Sequence, residues 1–207
     1  MHKQKLVIIG ASGHGKVVAD IAFLTEKYQQ IFFIDDNAKQ QEVIGVSVIG
    51  GFDNADTVLQ EAEFFVAIGN AKIRQQLLEK LVQKGADLAT LIHPSAVIGS
   101  NVEIGVGSVV MAGTVLNAEC KIGRGCIINT CSSIDHDCKI GDYVHVSVGA
   151  HLAGNVTVGD STWIGAGAVV NNNVNITQSC MIGSGAIVLK DIQESGTYVG
   201  VPAKKVN

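Results

Sequence analysis

A six-residue repeat runs without interruption through residues 92–187. Read from Ile92, this segment divides into sixteen hexads, and every hexad begins with Ile, Leu or Val. The fifth place of every hexad holds a small side chain, which is Ala, Val, Ser, Thr or Cys. An aliphatic first place and a small fifth place predict a parallel β-helix, in which three hexads close one coil and stacked coils repeat at about 4.8 Å.

The residues before the repeat follow a different pattern. Apolar runs at 5–10, 31–35 and 63–69 predict strands, and the segments 14–27 and 71–85 have helical spacing, the second closed by Gly85. The first helix is predicted to place Val17, Val18, Ile21, Ala22 and Leu24 on one broad face. Strands that alternate with helices predict a small, Rossmann-like parallel sheet. We therefore expect an α/β domain over residues 1–91 and a β-helix domain over residues 92–207.

Composition excludes several functional classes. The formal net charge of −4 argues against a nucleic-acid partner, which favours a clustered basic surface. No apolar run reaches about 18 residues, and the first residues do not read as a signal peptide, so no membrane insertion and a cytoplasmic location are expected. The five cysteines are an odd number without a CxxC motif, which favours reduced thiols. Four of them occupy the fifth place of a hexad, and only Cys131 does not.

Several motifs together resemble one family. They are IIGASGHGKVVADIA (8–22), DD (35–36), AIGN (67–70), DHDCKIGDYVHVSVGAHLAGNV (135–156) and GVPAKKV (200–206). The hexads resemble the hexapeptide-repeat acyltransferases, and the full set resembles the bacterial nucleotide-sugar acetyltransferases of the UDP-N-acetylbacillosamine type. Sialic-acid O-acetyltransferases and GDP-perosamine N-acetyltransferases are close relatives of that branch. The resemblance implies a left-handed β-helix, acetyl-CoA as co-substrate, no required metal, and a homotrimer with active sites at its subunit interfaces.

The hexad IDHDCK places a charged triplet at a corner of the predicted coil. Histidine titrates near neutral pH and can accept a proton from an attacking amine or hydroxyl. The resemblance makes His136 the general base, and a neighbouring carboxylate would orient its imidazole. That family has Glu after the histidine, whereas this chain has Asp137, so either Asp135 or Asp137 remains open, with Asp137 favoured.

His145 lies nine residues, or half a coil, from His136. The two side chains are therefore expected far apart within one chain and able to meet across a trimer interface. The resemblance makes His145 a contact of the acetyl-CoA thioester region and Asn129 a residue near the acceptor. It also assigns acetyl-CoA binding to Ala166, Gly183 and Ser184, where glycine-rich corners leave room for the pantetheine arm.

A glycine-rich loop joins the first strand to the first helix. Gly10, Gly13 and Gly15 form GxxGxG, and glycines let backbone amides approach a diphosphate at a helix N-terminus. Taken alone, the loop and the acids at the next strand end would fit NAD, but a second mononucleotide unit is missing. The resemblance instead assigns the nucleotide part of a UDP-sugar to Ser12, Gly13, His14, Gly15, Asp35 and Asp36, with weaker support for Gly69 and Asn70.

The resemblance implies an acetyl-CoA-dependent N-acetyltransferase that acts on the 4-amino group of a UDP-linked 4-amino-4,6-dideoxy sugar. Sugar O-acetylation of the sialic-acid type, and N-acetylation of a GDP- or dTDP-amino sugar, stay open because the same base serves each. A non-enzyme alternative is a trimeric scaffold that binds a nucleotide sugar. A zinc enzyme of the carbonic-anhydrase type would need three converging histidines, for which His136, His145 and His151 are numerically sufficient.

Overall fold

The computed structural model describes residues 3–206. It divides into two compact units between Pro94 and Ser95, three residues beyond the boundary expected from the repeat. Residues 1, 2 and 207 of the two expected domains lie outside the described residues.

The first unit is built from short strands and two helices. Its elements are β1 (Lys5–Ile9), α1 (Gly13–Leu24), β2 (Gln30–Ile34), β3 (Glu42–Val43), β4 (Val46–Ser47), a 3-10 helix (Phe52–Val58), β5 (Ala62–Val66), α2 (Ala71–Gln83), β6 (Asp87–Leu88) and β7 (Leu91–Ile92). Four strands form a parallel sheet in the order β2-β1-β5-β6. Because these strands are parallel, the C-terminal ends of β1, β2 and β5, and the loops that follow them, lie at one edge of the sheet.

The apolar runs form these strands because both faces of the sheet are covered. Residues 6–9 of β1 are buried, as a central parallel strand requires. In α1 the predicted apolar face is only partly right, since Val18, Ile21 and Ala22 are buried whereas Val17 and Leu24 are about half exposed. The buried stripe of α1 is therefore narrower than the spacing of its apolar residues predicts.

The second unit is a parallel β-helix with sixteen short strands followed by a terminal hairpin. The strands are β8 (Val97–Ile98), β9 (Glu103–Ile104), β10 (Val109–Val110), β11 (Val115–Leu116), β12 (Lys121–Ile122), β13 (Ile127–Ile128), β14 (Ser133–Ile134), β15 (Lys139–Ile140), β16 (His145–Val146), β17 (His151–Leu152), β18 (Thr157–Val158), β19 (Trp163–Ile164), β20 (Val169–Val170), β21 (Asn175–Ile176), β22 (Cys180–Ile182) and β23 (Ile187–Val188), then β24 (Gly196–Val199) and β25 (Lys204–Val206). The expected small parallel sheet followed by a parallel β-helix is confirmed.

The strands of the second unit stack into three parallel sheets, each named here after its first strand in that unit. The β8 sheet continues through β11, β14, β17, β20 and β23; the β9 sheet through β12, β15, β18 and β21; and the β10 sheet through β13, β16, β19, β22 and β24. From β8 to β23 strand partners differ by 18 residues, for example Ile127 with His145 and His145 with Trp163. A residue therefore lies directly beside the residues 18 positions before and after it.

Left-handed backbone turns the chain at each corner. From the hexad that begins at Ile98 onward, the fourth place has positive φ in fifteen consecutive hexads, including Cys131 (φ 54) and Asp137 (φ 62). Glycine, asparagine and aspartate tolerate this conformation best. From Ser108 onward the fifth place is buried, and its hydroxyls bond to backbone carbonyls, as Ser108 Oγ does to Gly123 O at 2.8 Å. These corners place the second, third and fourth residues of each hexad on the edges of the β-helix.

Candidate functional site

His136 lies on the edge between the β8 and β9 sheets, between β14 and β15. Its Nδ1 lies 2.8 Å from Asp137 Oδ2, and both side chains are more than half exposed. Asp137 takes the left-handed corner position, which directs its carboxylate back to the neighbouring ring. A carboxylate on Nδ1 holds the proton there, so the neutral imidazole presents Nε2 as an acceptor.

The second aspartate of the triplet makes different contacts. Asp135 Oδ1 accepts the backbone N–H of His136 at 2.9 Å and the side-chain amide of Asn117 at 2.8 Å. These donors keep the pKa of Asp135 below its ordinary value, with the His136 N–H the larger cause. The pKa of His136 is raised above its ordinary value, first by the hydrogen bond to Asp137 and then by the charge of Asp135. Both effects make Nε2 a stronger base.

Gly154 is the residue that leaves room for this imidazole. It lies one coil after His136, and a Cβ built on it would stand 2.6 Å from His136 Nε2 and 2.7 Å from Cε1. The backbone of Gly154 does not have positive φ, so the requirement for glycine here is the close approach of the ring rather than a turn. Sequence reasoning missed Gly154 and Asn117, although each lies 18 residues from a member of the charged triplet.

A second cluster forms on the edge between the β10 and β8 sheets. Asn129 Nδ2 lies 3.1 Å from His145 Nε2, and the His145 ring packs on Trp163 with centroids 4.6 Å apart. Asn129 Oδ1 accepts the N–H of Thr130 at 2.8 Å, which fixes the amide orientation. Nδ2 is then a donor, and Nε2 of the largely buried His145 accepts its hydrogen bond.

The residues expected to bind acetyl-CoA lie on the same edge. Ala166 follows β19, and Gly183 and Ser184 follow β22 one coil later. The N–H of Gly185 donates to Ala166 O at 2.8 Å, which keeps these corners in register. The structure thus places Asn129, His145, Ala166, Gly183 and Ser184 along one edge and His136 with Asp137 along another.

The glycine-rich loop of the first unit is closed by Asp35. Asp35 Oδ2 accepts the N–H of Ala11 at 2.9 Å, and Oδ1 accepts the N–H of Asn37 at 2.8 Å. Gly15 is required by packing, since a Cβ there would lie 2.0 Å from Gly10 O. Ser12 is the N-cap of α1, and its side chain makes no capping hydrogen bond.

Two grooves adjoin this loop. Asp35, Ala38, Lys39 and Gln40 line both. Ser12 and Lys16 line a groove of about 350 Å³, and Asp36 lines one of about 370 Å³. Asp36 Oδ1 accepts the N–H of Phe52 at 2.8 Å, so both carboxylates expected to bind nucleotide also organise local backbone.

His14 is the one loop residue whose ring turns into the protein. Burial, assisted by the positive charge of Arg74, lowers the pKa of His14 to about 4. Its buried Nε2 has no hydrogen-bond partner among the described residues. His14 is therefore a neutral side chain at neutral pH, and a positive charge on it is not available to a diphosphate.

The other two expected binding residues lie at the start of α2. Asn70 is the N-cap, and its Oδ1 accepts the N–H of Ile73 at 3.1 Å. Arg74, fully buried, donates from Nη1 to Ile68 O and Gly69 O, each at 2.8 Å. These contacts give Asn70 and the Gly69 carbonyl structural roles, and they define the shape of the loop after β5.

Within residues 3–206, no group of three or more His, Cys, Asp or Glu side chains is arranged to hold a metal ion. Among the same residues, no helix has the length and apolar character needed to cross a membrane.

Comparison with known proteins connects both units to acetyltransferases. Residues 5–81 match a family described as the PglD N-terminal domain. UDP-N-acetylbacillosamine N-acetyltransferase of Bacillus subtilis is 36% identical over 113 residues, which cover 53% of this chain and 52% of that protein. The chain spans about half the length of the curated relatives it matches.

Solved structures match over nearly the whole chain. The acetyltransferase domain of PglB from Neisseria gonorrhoeae is 40% identical with a TM-score of 0.95, covering 98% of this chain and 100% of that one. Another structure of that domain contains acetyl coenzyme A. PerB from Caulobacter crescentus, in complex with CoA and GDP-perosamine, is 37% identical with a TM-score of 0.92, covering 98% of this chain and 97% of that one.

Proposed function

This chain belongs to the family of bacterial nucleotide-sugar acetyltransferases, and from that membership we propose that it transfers the acetyl group of acetyl-CoA to the 4-amino group of a UDP-linked 4-amino-4,6-dideoxy sugar. The observation that carries the proposal is the His136–Asp137 pair, in which an exposed imidazole holds its proton on Nδ1 and presents Nε2. A base of this kind is what an amine nucleophile needs.

The proposed reaction is direct transfer without an acyl-enzyme. The acceptor amine attacks the thioester carbonyl while His136 Nε2 takes the amine proton. Once the new C–N bond has formed, the C–S bond breaks and the CoA sulfur leaves as a thiolate. The imidazolium then returns a proton to that sulfur, so the products are the acetamido sugar and CoA thiol. Asp137 stabilises the imidazolium formed between these steps.

We assign the edge between the β10 and β8 sheets to acetyl-CoA. His145, whose Nε2 is engaged by Asn129 and whose ring packs on Trp163, is suited to packing and polar contact near the thioester rather than to proton transfer. The small corners at Ala166, Gly183 and Ser184 would admit the pantetheine arm beside backbone amides. Because His136 and His145 lie on different edges within one chain, a complete site would draw on two subunits of a homotrimer.

We assign the nucleotide to the loop of the first unit. Ser12, Gly13 and Gly15 would present backbone amides and the Ser12 hydroxyl to a diphosphate, and Lys16 and Lys39 line the adjoining groove. Asp35 and Asp36 would hold the loop closed and contact the nucleoside. Acetyl-CoA and nucleotide sugars are cytoplasmic metabolites, so we place the reaction in the cytoplasm.

A second candidate has support from one comparison. PerB, which is 37% identical over nearly the whole chain, binds GDP-perosamine, so N-acetylation of a GDP-linked amino sugar is the alternative to a UDP-linked acceptor. Both acceptors present a primary amine and would use the same base.

The test is acetyl transfer measured by release of free CoA thiol. UDP-4-amino-4,6-dideoxy-N-acetylglucosamine, GDP-perosamine, a dTDP-linked amino sugar and sialic acid are offered separately. We expect turnover with the UDP-amino sugar, and a loss of ~100- to 10,000-fold in kcat for His136→Ala, the range that a general base contributes. His136→Asn, which keeps a polar group beside Asp137 but cannot take the proton, should be equally impaired.

The other outcomes are informative. Turnover with GDP-perosamine alone would assign a GDP-linked acceptor in place of the UDP-linked one. Turnover with sialic acid would assign O-acetylation in place of N-acetylation. Nucleotide-sugar binding by a trimer that turns over none of the four acceptors would favour the non-enzyme scaffold and contradict the proposal.

A further inference from the structure

We propose that Asn117 is a positioning residue for the base and acts through Asp135, so that the two aspartates beside His136 have different functions. This inference rests on the proposed role of His136 in acetyl transfer. Asp137 contacts the ring, whereas Asp135 fixes the backbone that carries the ring and supplies a second negative charge.

The geometry rests on one carboxylate oxygen. Asp135 Oδ1 receives both the Asn117 amide at 2.8 Å and the backbone N–H of His136 at 2.9 Å. Asp135 is otherwise a surface side chain, and an exposed carboxylate with a single donor rotates freely among its rotamers. Asn117, anchored in the preceding coil, removes that freedom. The amide thereby holds the oxygen that receives the His136 N–H.

The backbone of His136 is fixed from its other side as well. Its carbonyl accepts the N–H of Asn155, in the following coil, at 2.8 Å. The peptide unit is thus held by the coil before it, through Asn117 and Asp135, and by the coil after it. Small residues accompany both contacts, since Ala118 and Gly154 stand 18 residues before and after His136. The ring therefore has space, and the backbone that carries it is held by hydrogen bonds from both neighbouring coils.

The charges that face the imidazole come from few groups. Asp137 and Asp135 lie in its own coil, and the thiol of Cys120 in the preceding coil donates to Asp135 O at 2.9 Å. Glu119, also in the preceding coil, is engaged by Asn101 Nδ2 at 2.6 Å, and the following coil brings Gly154 and Asn155 without charge. All the carboxylates favour the imidazolium, and the pKa of His136 is accordingly raised. Removing the charge of Asp135 should lower it.

The chain offers a matched control for Asn117. Asn101 and Asn117 are both asparagines that donate to a carboxylate one coil later along the same edge. Asn101 bonds Glu119, which does not contact His136. Asn101 has positive φ (56), so Asn101→Gly removes a similar ladder hydrogen bond without straining this corner and leaves the base untouched.

The experiment follows the His136 ring by NMR and the reaction by CoA thiol release. Signals are assigned with His136→Asn, and the ring is titrated in Asp135→Asn, Asp135→Ala, Asn117→Ala, the Asp135→Ala/Asn117→Ala double variant and Asn101→Gly. We expect Asp135→Asn to move the His136 titration to lower pH and to lower kcat roughly 10-fold, part of the ~100- to 10,000-fold of a general base. Asn117→Ala should lower kcat several-fold without raising KM, because binding groups are unchanged.

The double variant decides whether Asn117 acts through Asp135. We expect it to match Asp135→Ala alone, since a positioning residue has no further effect once the oxygen that it holds is removed. Additive losses, an unmoved titration in Asp135→Asn, or a loss in Asn101→Gly equal to that in Asn117→Ala would overturn the inference. The NMR titration needs no acceptor sugar, so absence of turnover would count against the proposed function while leaving the positioning role measurable.

Discussion

At the scale of single residues, the groups around His136 are related by stacking rather than by neighbourhood in the chain. The charged triplet is visible in the sequence, and the preference for Asp137 came from the resemblance to a family that has Glu after the histidine. Asn117 and Gly154 could not be found in that way, because their relevance depends on side-chain contacts between adjacent coils. The 18-residue spacing points to both positions, but spacing does not show that an amide reaches a carboxylate or that a ring needs an empty Cβ position.

Gly154→Ala should impair catalysis with little effect on the fold. The new methyl would occupy the space of His136 Nε2 and Cε1, and the exposed ring would swing away. Because a displacement of about 1 Å at a reacting group can cost ~100-fold in rate, we expect a loss of that order in kcat. Circular dichroism and the KM for acetyl-CoA should be unchanged. A fully active Gly154→Ala enzyme would show that the observed ring position is not the reactive one.

His14 should make stability depend on pH in mildly acidic solution. Its pKa is 6.5 in the unfolded chain and about 4 in the folded chain. Between these values the unfolded state binds a proton that the folded state does not, so stability is complete above pH 6.5 and falls as the pH decreases. The loss should reach about 3 kcal/mol near pH 4. Urea unfolding from pH 7.5 to 4 measures it, and the slope should be shallower in His14→Gln; equal slopes would contradict the assignment.

At the scale of structural elements, the corners explain what the repeat could and could not predict. The first and fifth places predicted the strands and the narrow interior because inward side chains are restricted in size. The fourth place was not recognised as restricted, although it carries the left-handed turn and often holds Gly or Asn. In the first unit, α1 and α2 were predictable from their periodicity, whereas β3, β4 and β6 have two residues each, too few to leave a pattern.

Cys131→Gly should stabilise the β-helix. Cys131 is exposed and has φ 54 at a corner where Gly113 and Gly149 occupy the adjacent coils. Relief of the left-handed strain, less the added chain entropy of glycine, should raise the free energy of unfolding by about 0.5–1 kcal/mol. Cys126→Gly is the matched control, because Cys126 is a buried fifth-place residue and its loss should destabilise the protein. Thermal midpoints of both variants provide the comparison, and a destabilised Cys131→Gly would refute the strain argument.

At the scale of the whole molecule, the two edges of the β-helix carry complementary parts of the proposed reaction. The base lies on the edge between the β8 and β9 sheets, and His145 lies in the β10 sheet. The half-coil separation that predicted this division was available from residue numbers alone, because the repeat has no insertions. The hydrogen bond between Asn129 and His145 was not predictable, since it depends on how two outward side chains turn.

Mixed trimers should recover activity from two inactive parents. If His136 of one subunit works with His145 of another, co-expression of His136→Ala and His145→Ala chains carrying different affinity tags should restore some complete sites. Every trimer that contains both chains has intact His136 and His145 together at one of its three interfaces, so doubly purified mixtures should approach about a third of wild-type activity. Activity no higher than that of either parent would mean that both residues act within one subunit.

The uninterrupted ladder of coils also functions as a ruler. Each coil advances the edge by about 4.8 Å, and Ser184 stands two coils beyond Val148, which follows His145 on the same edge. The distance from Val148, near the proposed thioester site, to Ser184 is therefore a whole number of coil spacings. Duplication of an 18-residue block would add one coil and leave every side chain on its original face. Insertion or deletion of a single residue would instead shift all later side chains to other places in the repeat. The length of this edge can therefore change only by whole coils. A smaller change in the cofactor or acyl chain that is accepted would have to come from substitution of side chains along the edge.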